Sequence, residues 1–200
     1  MKMKKRKRAW KATLAVLVLA ALTAAYAGRY RQVNRELQGA PVEEYGIGEE
    51  VEMEKDFLIN FTMEGYAVTV NRAEVLSYEE FLEKYDAEDE YTHVPDKVYD
   101  VEITLANKGA EESVGVSLNE FRIQGLATGG SLDRNLLMVA NPALGEEVSI
   151  ALRENTEMVF HLPFGLYEEN FRKKNWENLD DYEMYFVATL YPTKKVIRLA

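Results

Sequence analysis

Two hydrophobic periods divide the chain. Ala12 to Ala27 (ATLAVLVLAALTAAYA) is a sixteen-residue run without a charge. A segment apolar on every side is not the stripe of a soluble surface helix. As a helix it is about 24 Å long, against a hydrocarbon core of about 30 Å. Ala9, Trp10, Lys11 and Gly28 extend it to about that span. Trp10, Tyr26 and Tyr30 sit where interfacial aromatic belts lie, and Lys11 is able to snorkel. The pattern predicts a single transmembrane helix over 12–28, with Ala12, Leu14, Val16, Leu17, Val18, Leu19, Leu22 and Tyr26 as its membrane-facing residues.

From Tyr45 the dominant period is two. Val51, Met53, Phe57, Ile59, Phe61 and Met63 alternate with Glu52, Glu54, Asp56, Asn60 and Glu64. Glu64-Gly65 marks a turn, and Phe57–Met63 against Tyr66–Val75 reads as a hairpin. Tyr99, Val101, Ile103 and Leu105 form a half-buried strand that ends at Asn107-Lys108-Gly109. Val114, Val116 and Leu118 are out of phase with Phe121 and Ile123, which predicts a β-bulge near Asn119-Glu120. Thr128-Gly129-Gly130-Ser131 is a tight turn. Further strands are expected at Val148–Leu152, Met158–Phe164, Tyr182–Leu190 and Lys195–Leu199. Pro163 places the end of its strand at a sheet edge or a bend. Ser77-Tyr78-Glu79-Glu80 has the form of a capping box, so Tyr78–Tyr85 is expected as one short helix. Eight or nine strands with one inserted helix make an all-β, antiparallel β-sandwich over 45–200.

Charge changes this picture. Met1 to Glu36 carries ten Lys/Arg and one acid, whereas Leu37 to Ala200 carries 14 Lys/Arg and 33 Asp/Glu. The net charge of −10 joins a basic head to a strongly acidic domain. Lys2, Lys4, Lys5, Arg6, Lys7, Arg8 and Lys11 precede the apolar run, and only Arg29, Arg31 and Arg35 follow it closely. The more basic flank stays cytoplasmic, so residues 1–11 form an inner tail and the C-terminal domain is extracytoplasmic. Residues 29–44 read as a juxtamembrane stalk. Ala25-Tyr26-Ala27 before Gly28 is also a small-x-small cleavage motif, and a cleaved signal peptide would leave the domain secreted. An acidic domain does not suit general nucleic-acid binding. The absence of cysteine excludes disulfides and thiolate chemistry, and in an exported chain favours a bacterial source.

Catalytic constellations are not evident, and the sequence calls for no cofactor, catalytic residue or metal ligand set. His93 and His161 are too few and too separated for a histidine metal site. None of Ser77, Ser113, Ser117, Ser131 and Ser149 lies in a G-x-S-x-G or S-x-x-K motif. Gly46-x-Gly48 is a turn before a strand, not a phosphate cradle. Asn60-Phe61-Thr62 is a glycosylation sequon inside an expected strand, without meaning in a bacterial source. The repeated acid pairs read as solvated loops. Asp86, Glu88, Asp89 and Glu90 are a calcium candidate but lack the loop glycine. Tyr91, Tyr167, Trp176, Tyr182 and Tyr185 either pack the sandwich ends or line a partner surface. Arg172-Lys173-Lys174 is the one basic knot of the acidic domain.

Tyr45-Gly46-Ile47-Gly48-Glu49-Glu50-Val51 entering a first strand, with Gly65-Tyr66-Ala67-Val68-Thr69-Val70 after it, resembles bacterial extracytoplasmic immunoglobulin-like domains of unknown function. Phe81-Leu82-Glu83-Lys84-Tyr85 and Leu190-Tyr191-Pro192-Thr193-Lys194-Lys195 fit the same resemblance. It implies a membrane-anchored immunoglobulin-like ectodomain of Gram-positive type and carries over no site residue. The expected role is a non-enzymatic binding or scaffold domain of the cell envelope. Its partners would be membrane lipid through the helix and an unidentified envelope protein or polymer. The alternatives are a small envelope hydrolase or carbohydrate-binding domain, and a calcium-stabilised adhesion module.

Overall fold

The computed structural model describes residues 2–36, 39–88, 94–111, 114–126, 128–145 and 147–199, with the side chains of 2–13, 15, 34–36 and 180 left undescribed. The chain divides into two units, Met1–Gly39 and Ala40–Ala200. The first contains one helix, α1 (Lys2–Glu36). Leu14, Val16, Leu17, Val18, Leu19, Leu22 and Tyr26 are all exposed on it. Among the described residues no helix is long and apolar enough to cross a membrane. The side chains of Ala12, Thr13 and Ala15, which belong to the sixteen-residue apolar run, lie outside the described residues.

The second unit is mostly β-sheet with a few helices, consistent with a β-sandwich. One sheet contains β1 (Val42–Tyr45), β6 (Arg122–Gly125), β7 (Gly129–Ser131), β10 (Met184–Val187) and β11 (Lys194–Arg198), in the order β1-β11-β10-β6-β7. The other contains β2 (Glu50–Glu52), β3 (Tyr66–Ser77), β4 (Lys97–Asn107) and β9 (Thr156–Leu166), in the order β2-β3-β4-β9. β5 (Val116–Ser117) and β8 (Ser149–Ile150) form a small separate pair. β1 runs parallel to β11, and the other ladders are antiparallel.

Alternation on β4 explains the core. Tyr99, Val101, Ile103 and Leu105 are buried on one phase, next to Phe160, Leu162 and Phe164 of β9. Phe164 meets Phe186 of the five-stranded sheet edge-on at 6.4 Å, and Phe186 lies 5.0 Å from Phe121. Each such ring contributes about 1.5–3 kcal/mol by leaving water. Gly65 makes the turn into β3 at φ 86°, where a Cβ would come within 2.4 Å of the Ala110 backbone nitrogen. Only glycine accepts both conditions.

The helices differ from the sequence expectation in number. α2 (Tyr78–Lys84) carries the expected capping box: Glu80 N donates to Ser77 Oγ at 3.1 Å, and Ser77 N donates to Glu80 Oε2 at 2.8 Å. α3 (Arg134–Ala140) and α4 (Lys173–Trp176) are additional. Asp133 caps α3 through the Asn135 and Leu136 amides, and the helix buries Leu136, Leu137 and Ala140. α2 and α3 share a second core with Val98, formed by Tyr78, Phe81, Leu82, Leu136 and Ala140.

Three strand expectations are corrected. Residues 57–63 are not a hairpin strand: Phe57 bridges Thr62 and Tyr191, and Phe57, Ile59 and Phe61 are exposed, while Leu58 and Met63 are buried. The partners of β3 are β2 and β4. At Asn119-Glu120 the phase change comes from a 3-10 turn, Leu118–Glu120, and not from a bulge. A register shift lies instead between Val70 and Arg72. Finally, the end of the expected stalk, residues 42–44, is part of β1 and belongs to the folded domain.

Candidate functional site

The two sheets present very different outer faces. On β4 the polar phase carries Asp100 and Glu102, opposite Glu74 and Arg72 of β3 and Pro163 and His161 of β9. α2 ends above this row. Lys84 Nζ donates to Asp100 Oδ2 at 2.5 Å and to Glu74 Oε1 at 2.9 Å. Tyr85 OH donates to the same Asp100 oxygen at 2.6 Å. His161 Nδ1 stands 3.5 Å from Asp100 Oδ1, and Nε2 stands 3.6 Å from Glu102 Oε2. Neither His161 Nδ1 nor Asp100 Oδ1 has a hydrogen-bond partner among the described residues.

The Asp100 side chain is only 1% exposed. Burial raises its pKa, but the facing His161, Lys84 and Tyr85 groups outweigh this and hold it below the ordinary carboxylate value. For Lys84, burial lowers the pKa, and the bonds to Asp100 and Glu74 raise it further than burial lowers it. Burial first, and then the bond to Asp100, raise the Tyr85 phenol far above its usual value. The resulting cluster is an ionised carboxylate held by an ammonium and a protonated phenol. It joins α2 to the sheet and leaves Tyr85 a poor nucleophile.

A second buried charge, Lys195, is likewise fully engaged. Its Nζ donates to Glu52 O at 2.7 Å and Glu54 Oε2 at 2.6 Å, with Asp56 Oδ2 at 3.3 Å. Glu120 is a third: it accepts from the Ile59 and Asn60 amides and from Asn60 Nδ2, and so fixes the 57–62 loop.

The outer face of the five-stranded sheet is more open. Ladder register aligns Ser131, Arg122, Val187, Val196 and Glu44 in one row, of which Val187 and Val196 are buried, and Gly129, Gln124, Tyr185 and Arg198 in the next. A cavity of about 540 Å³ lies along the β6–β7 hairpin, lined by Arg122, Gln124, Leu126, Thr128, Ser131 and Leu190 among others. A second, of about 290 Å³, shares Gln124, Gly125 and Leu126 with it and adds Glu44, Tyr185 and Lys194. A third, of about 280 Å³, shares Thr128 and reaches Phe171, Arg172 and Tyr182. Leu126, at the hairpin tip, is 97% exposed.

Ion pairs occupy the second cavity. Arg198 bonds Glu44 and lies 3.8 Å from Glu183, whose Oε1 accepts from Tyr185 OH at 2.5 Å. That bond to Glu183 is the main cause of the raised Tyr185 pKa. Lys194 Nζ donates to Gln124 Oε1 at 2.6 Å.

The sequence-named aromatics separate between roles. Tyr185 and Tyr182 line cavities, while Trp176 and Tyr182 pack around Phe171 at the margin of the core. Lys97 lies over the Trp176 ring at 5.2 Å. Of the basic knot, Lys173 pairs with Glu177 at 3.8 Å on the surface. Tyr91, His93, Asp89 and Glu90 lie outside the described residues. Among the described residues no group of three or more His, Asp or Glu side chains is arranged to hold a metal ion. Ala25, Ala27 and Gly28, the cleavage motif, lie within α1. Arg122 and Gln124 were not singled out by sequence. Their only signal is a polar phase on a short strand beside a Gly-Gly turn.

A family model described as a domain of unknown function, DUF5028, matches residues 42–195. No curated protein matches the chain. Among solved structures, the chain is similar to the yjhA protein from Bacillus subtilis, at 10% identity and a TM-score of 0.43, over 78% of this chain and 99% of that one.

Proposed function

The chain belongs to the DUF5028 family, and from that premise we propose that it is a non-enzymatic, membrane-tethered binding or scaffold domain on the outer side of the bacterial cytoplasmic membrane. The observation that carries this reading is the surface around the β6–β7 hairpin, where three cavities share lining residues. Cavities of a few hundred Å³ with a few polar groups are the usual form of a ligand site.

An immunoglobulin-like topology fits the strand order. β3, β4 and β9 take the places of strands A, B and E, and β6, β10 and β11 those of C, F and G. The tether is supported by the uncharged run Ala12 to Ala27, its basic flank, and the exposure of Leu14, Val16, Leu17, Val18, Leu19 and Leu22 on α1. Exposed contiguous apolar surface of this kind calls for a lipid or protein cover. The hydrolase reading would draw on Asp100, Glu102 and His161, but Asp100 is already committed to Lys84 and Tyr85.

Site-specific photocrosslinking in native membranes tests the binding role. A crosslinker at Tyr185 is expected to recover an envelope component that one at Arg72, on the other sheet, does not. Equal recovery from both positions, or from neither, refutes it. Mass spectrometry of the mature N-terminus tests the tether: a chain starting at Gly28 overturns it.

A further inference from the structure

We propose that the cavity along the β6–β7 hairpin is a site for an oxyanion, a carboxylate or phosphate group, held by Arg122. The inference rests on the reading of this face as a binding surface and names the chemistry that the face recognises. Arg122 is half-buried, and its Nε is fully buried without a hydrogen-bond partner among the described residues. Neither does its guanidinium form a salt bridge or hydrogen bond with any described side chain. Half-buried Lys97 and Lys194 also lack a carboxylate among the described residues, but Lys97 lies over the Trp176 ring and Lys194 bonds Gln124. Lys195, the buried cation of the domain's described residues, and Lys84, which reaches the buried Asp100, are each paired with two carboxylates.

An unpaired buried donor is costly unless something else satisfies it. The cavity supplies the space for that partner. Its lining contains no Asp or Glu, whereas the neighbouring cavity contains both Glu44 and Glu183. Gln124, Thr128, Gly129, Gly130 and Ser131 line the same cavity and bring polar side chains and bare backbone to it. Two successive glycines remove the side chains that would cover the hairpin. A Cβ at Gly129 would lie 3.1 Å from the Ile123 carbonyl oxygen, a tight contact that favours bare backbone there. The planar fork of arginine matches carboxylate and phosphate oxygens with two parallel N–H bonds. At about 540 Å³ the space admits a small anionic ligand or the charged end of a polymer or peptide.

The test titrates the full chain in uncharged detergent micelles at low ionic strength with inorganic phosphate and, separately, with succinate. Amide shifts of Gly129, Gly130 and Ser131 and the Arg122 Nε–H resonance report occupancy. A saturable shift confined to these groups is expected with at least one probe. Arg122→Gln should weaken it at least tenfold. Arg122→Lys should retain the charge but lose the fork, and fall between the two. Arg172→Gln, in the third cavity, should leave it unchanged. A dispersed amide spectrum of each variant confirms folding. No saturable shift for either probe, or equal binding by wild type and Arg122→Gln, overturns the proposal. So does an equal loss in Arg172→Gln, which would mean diffuse charge screening. The preference between phosphate and succinate identifies which oxyanion the cavity takes. A failed titration alongside a selective Tyr185 crosslink would sink this inference alone and leave the binding role standing.

Discussion

The four-stranded sheet and the five-stranded sheet bury similar inner faces but treat their outer faces in opposite ways. Above β3, β4 and β9, two short helices bring five apolar residues and the Lys84–Tyr85 pair down on the sheet. Its buried carboxylate is matched by specific donors. Above β10, β6 and β11 the Arg198 ion pairs are exposed, and one cation lacks a partner among the described residues. A face whose apolar residues are covered and whose buried carboxylate is paired contributes to stability through that burial. A face with solvated pairs contributes little to stability and is free to recognise something else.

The largest test of this contrast is Phe81→Ala. The ring is fully buried between α2 and the sheet and lies 4.8 Å from Tyr85. Its loss should cost about 3–4 kcal/mol, read as a fall in the urea midpoint with an unchanged slope. A cost below about 1 kcal/mol would mean that α2 is not a structural cover.

Asp100→Asn comes next. It removes the charge that Lys84 and Tyr85 address and should cost about 2–3 kcal/mol. It also has a pH signature. The folded-state pKa of Asp100 is depressed, so its stabilisation is present above the ordinary carboxylate value and is lost as pH falls through the folded one. Lys84 and Tyr85 have raised values, so their contribution is present below their ordinary values and is lost as pH rises beyond them. Urea midpoints should therefore drop in strong acid and again in strong alkali. Asp100→Asn should flatten the acid limb. An acid limb identical in variant and wild type would separate the cluster from acid stability.

Ser77→Ala is smaller, at about 1 kcal/mol, because it removes one side of the α2 capping box. A midpoint unchanged within error would show that the packing of Phe81 and Leu82 alone places the helix.

The covered face was partly legible in the sequence, the open face hardly at all. Ser77 and Glu80 announce α2 because a capping box is a local signal. The burial of Tyr99, Val101, Ile103 and Leu105 was legible because a strand with one buried face alternates strictly. α3 was missed, since seven residues are too few to establish a 3.6 period; Asp133 before Leu136 and Leu137 was its only signal. Alternation misled at 57–63, where Phe57, Ile59 and Phe61 of the apolar phase face water. There the backbone is held by Glu120, some 60 positions distant, and by Tyr191, which no local pattern encodes. The approach of Tyr85 to Asp100, or the isolation of Arg122, depends likewise on which strands become neighbours.

On the open face the smallest stability effect carries the most information. Glu44→Gln removes the carboxylate that Arg198 contacts at the β1 edge. Both side chains are near half-exposed, at 42% and 50%. Solvent screening leaves such a pair about 0–1 kcal/mol, so the unfolding free energy from urea melts should move by no more than about 1 kcal/mol. The same substitution removes one negative charge from the cavity that adjoins the Arg122 site. Phosphate or succinate binding should then tighten slightly, by about twofold, because a screened charge at this range acts weakly on an incoming anion. Isothermal titration of the full chain measures the anion affinity, and urea unfolding measures the stability. Weaker anion binding with lowered stability would mean that Glu44 holds the face in shape. Tighter binding with stability unchanged would mean that this sheet presents its charges to a ligand and not to itself.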